Sequence, residues 1–134
     1  MSDQGRQPTE NGELTITING LEVPSQNRRD RWHWRQRTKH RTDCEIGIMG
    51  AIGGRCTKPF GHKVKLTIVS VRKQRMRDHA NLVGGCKSLV DAVVNVGLLA
   101  DDDDEHVEIE YQQQTRHGSE VRTILRFTDL EAER

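Results

Sequence analysis

KVKLTIVSVRKQRMRDHANLVGGCKSLVDAVVNVGLLADDDDEHVEIEY, residues 63–111, changes its hydrophobic period twice, and the fold class follows from those changes. In its first ten residues Val64, Leu66 and Ile68 face one way while Val69 and Val71 face the other. A strand that is apolar on both faces is expected inside a sheet and covered on both sides. Leu82, Cys86, Leu89 and Val93 then recur at helical spacing, so a helix is expected from Asn81 or Gly85 to Val96. Gly97 stands where a helix C-terminus takes glycine. Over 106–112, Val107, Ile109 and Tyr111 return to period two, the mark of a third strand.

Upstream, ELTITIN at 13–19 alternates Leu14, Ile16 and Ile18 with polar residues and predicts a half-buried strand. VPSQN at 23–27 breaks it, with Pro24 and Asn27 as turn residues. A mainly helical segment from Arg31 to about Ile52 gathers its apolar stripe only at Ile46, Ile48, Met49 and Ile52, and Gly53-Gly54 ends it. Residues 55–62 form a linker with Pro59 and Gly61. Downstream, Val121, Thr123, Leu125 and Phe127 alternate through 120–127. TRHGS, with Gly118 in its turn, predicts a hairpin joining the last two strands. The expected architecture is α/β, a small mixed β-sheet with two main helices in the order β-α-β-α-β-β. It fills residues 13–129 as a single domain, between a disordered tail at 1–12 and a short acidic tail at 130–134.

The apolar fraction of 33% barely exceeds the charged fraction of 31%, so the core is modest and the surface polar. The N-terminal residues carry neither a basic n-region nor an apolar run, so no signal or transit peptide is expected. No apolar stretch approaches the roughly 18–20 residues that span a bilayer. A cytoplasmic protein without a membrane partner is expected. Cys44, Cys56 and Cys86 are odd in number and include no C-x-x-C pair, so neither a disulfide framework nor a zinc site is predicted. Cys44, Cys56 and His62 fit no common zinc-ligand spacing.

The net charge of +1 conceals a segregation. RRDRWHWRQRTKHR at 28–41 carries Arg28, Arg29, Arg31, Arg35, Arg37, Lys39 and Arg41 against Asp30, whereas 101–110 is acidic. Dense basic surface suits a polyanion. A compact acidic patch repels one unless metal ions sit between them. Trp32 and Trp34, inside the basic segment, either stack on unpaired bases or, for one of them, anchor the helix in the core.

Asp78 follows a strand, Asp91 lies on the next helix, and Asp101 and Asp102 precede the third strand. Carboxylates gathered this way hold Mg²⁺, and a lysine beside them neutralises charge developing on a phosphate. Lys87 and Asp91, at i and i+4, share a helix face. The plainer readings are a solvated acidic loop and a surface salt bridge. Gly84-Gly85 either admit a close backbone or phosphate, or simply delay the helix start.

The segment from Asp78 to Asp102 resembles the RusA-type Holliday junction resolvases, in particular their phage and prophage branch. That family carries Asp-x-Asp-Asn-Leu after a strand, then a lysine, an Asp-Ala pair on a helix, a glycine and an Asp-Asp pair. Asp78, Asn81-Leu82, Lys87, Asp91-Ala92, Gly97 and Asp101-Asp102 fall in that order. VPSQN and WHWRQR resemble the family's first loop and the start of its first helix, extending the likeness to about residues 13–127.

The resemblance implies a homodimer that binds a four-way DNA junction and makes paired nicks with Mg²⁺, or Mn²⁺ in its place. It implies Asp78, Lys87, Asp91 and Asp102 as catalytic residues and Asp78, Asp91, Asp101 and Asp102 as metal ligands. It implies Asn27, Arg28, Arg31, Trp34, Arg35, Arg37 and Asn81 as contacts to DNA. One family position departs: the second acidic residue is Ala80. Asp91, Asp101, Asp103 or, least suitably for Mg²⁺, His79 are the candidates to compensate. The alternatives are a catalytically impaired DNA-binding or regulatory relative, and a protein-interaction module whose acidic loop meets a basic partner.

Overall fold

The computed structural model describes residues 13–55, 58–116 and 120–130. The elements run β1 (Glu13–Asn19), α1 (Gln26–Asp30), α2 (Trp34–Ile52), β2 (Val64–Arg72), α3 (His79–Gly85), α4 (Lys87–Val96), β3 (Val107–Thr115) and β4 (Arg122–Asp129). They form an α/β fold around a four-stranded mixed sheet of order β1-β4-β2-β3. β2 and β3 are parallel, and β4 runs antiparallel to both β1 and β2. The tail expected at 1–12 and residues 131–134 of the tail expected at 130–134, with Cys56 and Gly118, lie outside the described residues. Among the described residues no helix is long and apolar enough to cross a membrane.

The inner sheet face carries Leu14, Ile16 and Ile18 of β1, Leu66 and Ile68 of β2, and Leu125 and Phe127 of β4. Cys44, Ile48 and Ile52 of α2 and Leu89, Val93 and Val96 of α4 close over it. Those triplets recur at helical spacing, and burying them gives each helix its seat on the sheet. β2 is interior, as its two-faced pattern predicts, with Val69 and Val71 only 2% and 1% exposed on the second face. Gly53 and Gly97 close α2 and α4 in the left-handed conformation at φ 85° and 101°.

Three expectations change. The hairpin between the last two strands does not form, because β4 pairs with β1 and β2 while β3 pairs only with β2. Ile124 and Leu125 give β4 apolar residues on both faces, which suits an interior place. Glu108, Glu110, Gln112 and Gln114 make β3 polar enough for an edge. The helix expected up to Val96 is divided into α3 and α4, and the one expected over Arg31–Ile52 begins at Trp34 and is preceded by an additional short helix, α1. Ser25 caps α1 by accepting the Arg28 N–H at 3.1 Å, which draws Asn27 out of a turn and into a helix. His33 caps α2 reciprocally with Gln36. Finally, neither tryptophan is a core residue. Trp34 is 62% exposed and Trp32 half-buried, because the first buried residue of α2 is Cys44, past the turns that carry the indoles.

Trp32 packs edge-on to His40 at 5.4 Å between ring centroids, and burial holds the His40 pKa below its usual value of 6.5. The unfolded chain therefore takes up a proton near pH 6.5 that folded His40 resists, and this contribution to stability declines as pH falls through that window. Urea titrations at pH 5 and pH 7 are expected to show a smaller loss for His40→Gln than for the unmodified protein.

Candidate functional site

The chain leaving β2 turns into α3 at Asp78. Its Oδ1 accepts the Ala80 N–H at 3.0 Å, an ordinary N-cap. α3 stops at Gly85, Cys86 bridges at φ −84° and ψ 0°, and α4 begins at Lys87. Cys86 is fully buried, and burial pushes its thiol pKa up to about 12, so it is an inert packing residue.

The glycine pair ends α3 rather than delaying a start, and its reason is a close approach. A Cβ on Gly85 would collide with the Pro24 carbonyl. One on Gly84 would meet the Gln26 side chain. The bare helix lets the 24–25 backbone lie against it, which seats α1 on α3. Asn27 N–H then donates to Asn81 Oδ1 at 3.1 Å, so these two expected DNA contacts brace each other. One turn on, Arg29 Nε donates to Ser88 Oγ at 3.1 Å. From the other side Arg72 Nη1 donates to the Val23 carbonyl at 2.7 Å, fixing the loop that leads into α1.

This docking completes a cleft of about 360 Å³ lined by Gln26, Arg29, Val83, Gly84, Lys87, Val90, Asp91, Asp102, Ile109 and Tyr111. An adjoining hollow is lined by Arg41, Asp91, Val94, Asn95, Asp101 and Asp102. Asp91 and Asp102 line both, so Lys87, Asp91, Asp101 and Asp102 are brought to one region. Asp78 is not among the residues lining either cavity. Its neighbour His79 lies edge-on to Tyr111 at 6.3 Å. Tyr111 lines the Asp91–Asp102 cleft and also the hollows beside His79. Burial raises the Tyr111 pKa first, with Cys86 and Asp102 adding to the shift, so its hydroxyl stays protonated at neutral pH.

Lys87 and Asp91 make no ion pair, despite their i, i+4 spacing. The base precedes the acid here, which is the less favourable order. Among the described residues the half-buried Asp91 carboxylate has no hydrogen-bond or ion-pair partner. Nor do three or more His, Cys, Asp or Glu side chains among them stand together as a ready-made metal cage. Asp101 Oδ1 accepts the Asp102 N–H at 2.7 Å, and Asp103 is tied to His106 Nδ1 at 2.5 Å. That hydrogen bond holds Asp103 below and His106 above their usual pKa ranges; Asp103 is solvent-exposed and His106 half-buried.

The basic segment flanks the cleft through α1. Arg31 is exposed, and the Arg35 guanidinium lies 5.4 Å from the Trp34 ring centroid. Arg28 lies 5.5 Å from the Trp32 ring and pairs with Glu22 at 3.2 Å. Arg37 donates to the carbonyls of Arg29 and Asp30 at 3.3 and 3.2 Å, capping the end of α1. Arg29, Tyr111 and Arg41 line the cavities without having stood out individually in the sequence. The available signal for Arg29 was its place within a turn of the capping Ser25. No protein-family model matches the chain, and no curated protein is found as a relative.

Proposed function

We propose that this protein is a Mg²⁺-dependent endonuclease selective for branched DNA, nicking Holliday junctions in the manner of the RusA-type resolvases it resembles. The observation that supports this reading best is the convergence of Lys87, Asp91 and Asp102 on one cleft beside an Arg-rich helix. A carboxylate pair suits Mg²⁺, which takes one or two protein carboxylates and keeps several waters. Asp91, partly buried and unpartnered, is the better placed ligand, with Asp102 and Asp101 beside it. Bound there, Mg²⁺ would supply Lewis acidity at the phosphate and a more acidic water. The Lys87 ammonium neutralises charge that develops on the phosphate oxygens. A homodimer would present two such clefts to strands related by a two-fold axis. The setting would be the cytoplasm of a bacterial or phage-infected cell.

Incubation of the protein with an end-labelled synthetic four-way junction tests the reading. Paired nicks that require Mg²⁺ or Mn²⁺ are expected, and their absence across both titrations removes the enzyme. Trp34, exposed beside Arg35, is placed to stack on an unpaired base. Trp34→Ala is expected to weaken junction binding about tenfold in fluorescence anisotropy, within the roughly 1–3 kcal/mol of a base–aromatic stack.

A second reading is favoured by Ala80 and by Asp78, which caps α3 outside the cavities lined by Asp91 and Asp102. A DNA-binding relative without catalysis would hold the junction equally well with EDTA or Mg²⁺, and with Asp91→Asn.

A further inference from the structure

We propose that Arg29, held by Ser88, is one arm of a phosphate clamp whose other arm is Lys87, closing on a phosphodiester above Asp91 and Asp102. The inference rests on the nuclease reading for its substrate class, but its geometry is independent of the family resemblance.

Arg29 is half-buried, yet no carboxylate pairs with it among the described residues. Its Nε donates to the Ser88 hydroxyl at 3.1 Å, and Ser88 is only 2% exposed. Its carbonyl accepts from Arg37 Nε at 3.3 Å, so backbone and side chain are both fixed. The two Nη groups have no hydrogen-bond acceptor among the described residues. Partly burying a cation without a counter-charge is unfavourable. A guanidinium anchored through Nε keeps the Nη edge for an oxyanion, in the bidentate geometry that arginine offers and lysine does not.

Lys87 lines the same cleft and likewise has no ion-pair partner among the described residues. One anchored cation, Arg29, and one exposed cation, Lys87, therefore line a cavity whose other charged walls are Asp91 and Asp102. A lone carboxylate ligand would meet the arginine and lysine but be repelled by the aspartates. A phosphodiester bridged to the aspartates by a divalent cation satisfies all four groups. The cleft's 360 Å³ is ample for one phosphate and its sugar, with the flanking strand left to run over α1.

Inorganic phosphate is the probe. Proton–nitrogen spectra of the full protein, with Mg²⁺ present, are expected to show the Arg29 Nε–H and the Ser88 amide shifting saturably in the millimolar range. Arg29→Gln should abolish the shift at Ser88, and Lys87→Met should weaken saturation about tenfold, one charge-assisted contact's worth. Ser88→Ala, which keeps the charge but frees the side chain, should speed exchange of the Arg29 Nε–H with water. Phosphate shifts confined to 31–41, with Arg29 Nε–H unmoved, overturn the clamp.

Nicking separates the two ideas. Arg29→Ala should slow single-turnover cleavage about 100-fold, the loss expected for one donor aimed at developing charge. Arg29→Lys should restore only part of that rate, and junction affinity should change less than about threefold because Arg29 is one of many phosphate contacts. A wild-type rate in Arg29→Ala refutes the clamp while leaving the nuclease standing. If the wild type itself never nicks, the nuclease reading falls, and the phosphate titration alone decides for or against Arg29.

Discussion

If the protein nicks as proposed, Asp102→Asn is expected to lower single-turnover nicking of a four-way junction by about 10³-fold while leaving junction affinity within about threefold. The size follows from the work assigned to the carboxylate. Metal-assisted phosphate chemistry draws several kcal/mol of transition-state stabilisation from the ion, and each 1.4 kcal/mol is about a factor of ten in rate. An amide at this position keeps the shape and one oxygen but loses the charge that holds the ion. Affinity should be spared because, on the proposed reading, binding is dominated by phosphate contacts to the arginines of 28–41, and removing a negative charge would not weaken those. Asp102 is solvent-exposed and its carboxylate makes no ion pair among the described residues, so stability should hardly move. That makes the variant diagnostic, because lost activity cannot be assigned to unfolding. Single-turnover cleavage at several Mg²⁺ concentrations, with anisotropy on the same junction, checks both halves. Raising Mg²⁺ should recover part of the rate. A nicking rate near wild type removes Asp102 from the site. Asp103→Asn serves as the contrast, because Asp103 is already engaged with His106 and should change the rate by less than about threefold.

The helix face that carries Lys87 and Asp91 was legible in the sequence, since i, i+4 spacing fixes it whatever the tertiary structure. β1 and β2 were legible for a similar reason: Leu14, Ile16 and Ile18 declare one buried face, and Val64–Val71 declare two. The place of β4 between β1 and β2 was not, because strand order is decided by which edges find partners, and alternation in 120–127 does not name a neighbour. Asp78 carried a signal that pointed two ways. An aspartate just before a helix is an N-cap by composition alone, and that use is the one seen, through the Ala80 N–H. Arg29 was hidden most deeply. Within 28–41 it is one arginine among several, and only the docking of α1 onto α3 singles it out. The proposed clamp depends on a contact between distant segments that neither segment announces.

Gly85→Ala is therefore expected to damage both stability and the site, against the direction that helix propensity predicts. Alanine is favoured over glycine in a helix by roughly 1 kcal/mol. At Gly85, however, the new Cβ would run into the backbone carbonyl of Pro24, which has no rotamer to yield and is buried against the loop that Arg72 fixes. Overpacking of this kind costs about 1–3 kcal/mol, occasionally more. A net loss of about 2 kcal/mol is expected, a fall in Tm of roughly 6–8 °C for a chain of this size. Two neighbouring substitutions separate propensity from sterics. Gly50 in α2 has nothing within 4 Å of its missing Cβ, so Gly50→Ala should stabilise by up to about 1 kcal/mol. Gly84→Ala meets the Gln26 side chain, whose amide end can swing aside but whose Cβ, at 2.9 Å, cannot, so a smaller loss of about 1 kcal/mol is expected. The order of Tm expected from calorimetry is Gly50→Ala above wild type, Gly84→Ala somewhat below it, and Gly85→Ala lowest. Where Gly85→Ala remains folded, α1 is pushed off α3, and Arg29 is carried away from Ser88. Its nicking rate at 15 °C should then fall further than its unfolded fraction explains. A Gly85→Ala protein as stable and as active as wild type would mean that the 24–25 backbone does not lie against α3, and that the cleft is assembled in some other way.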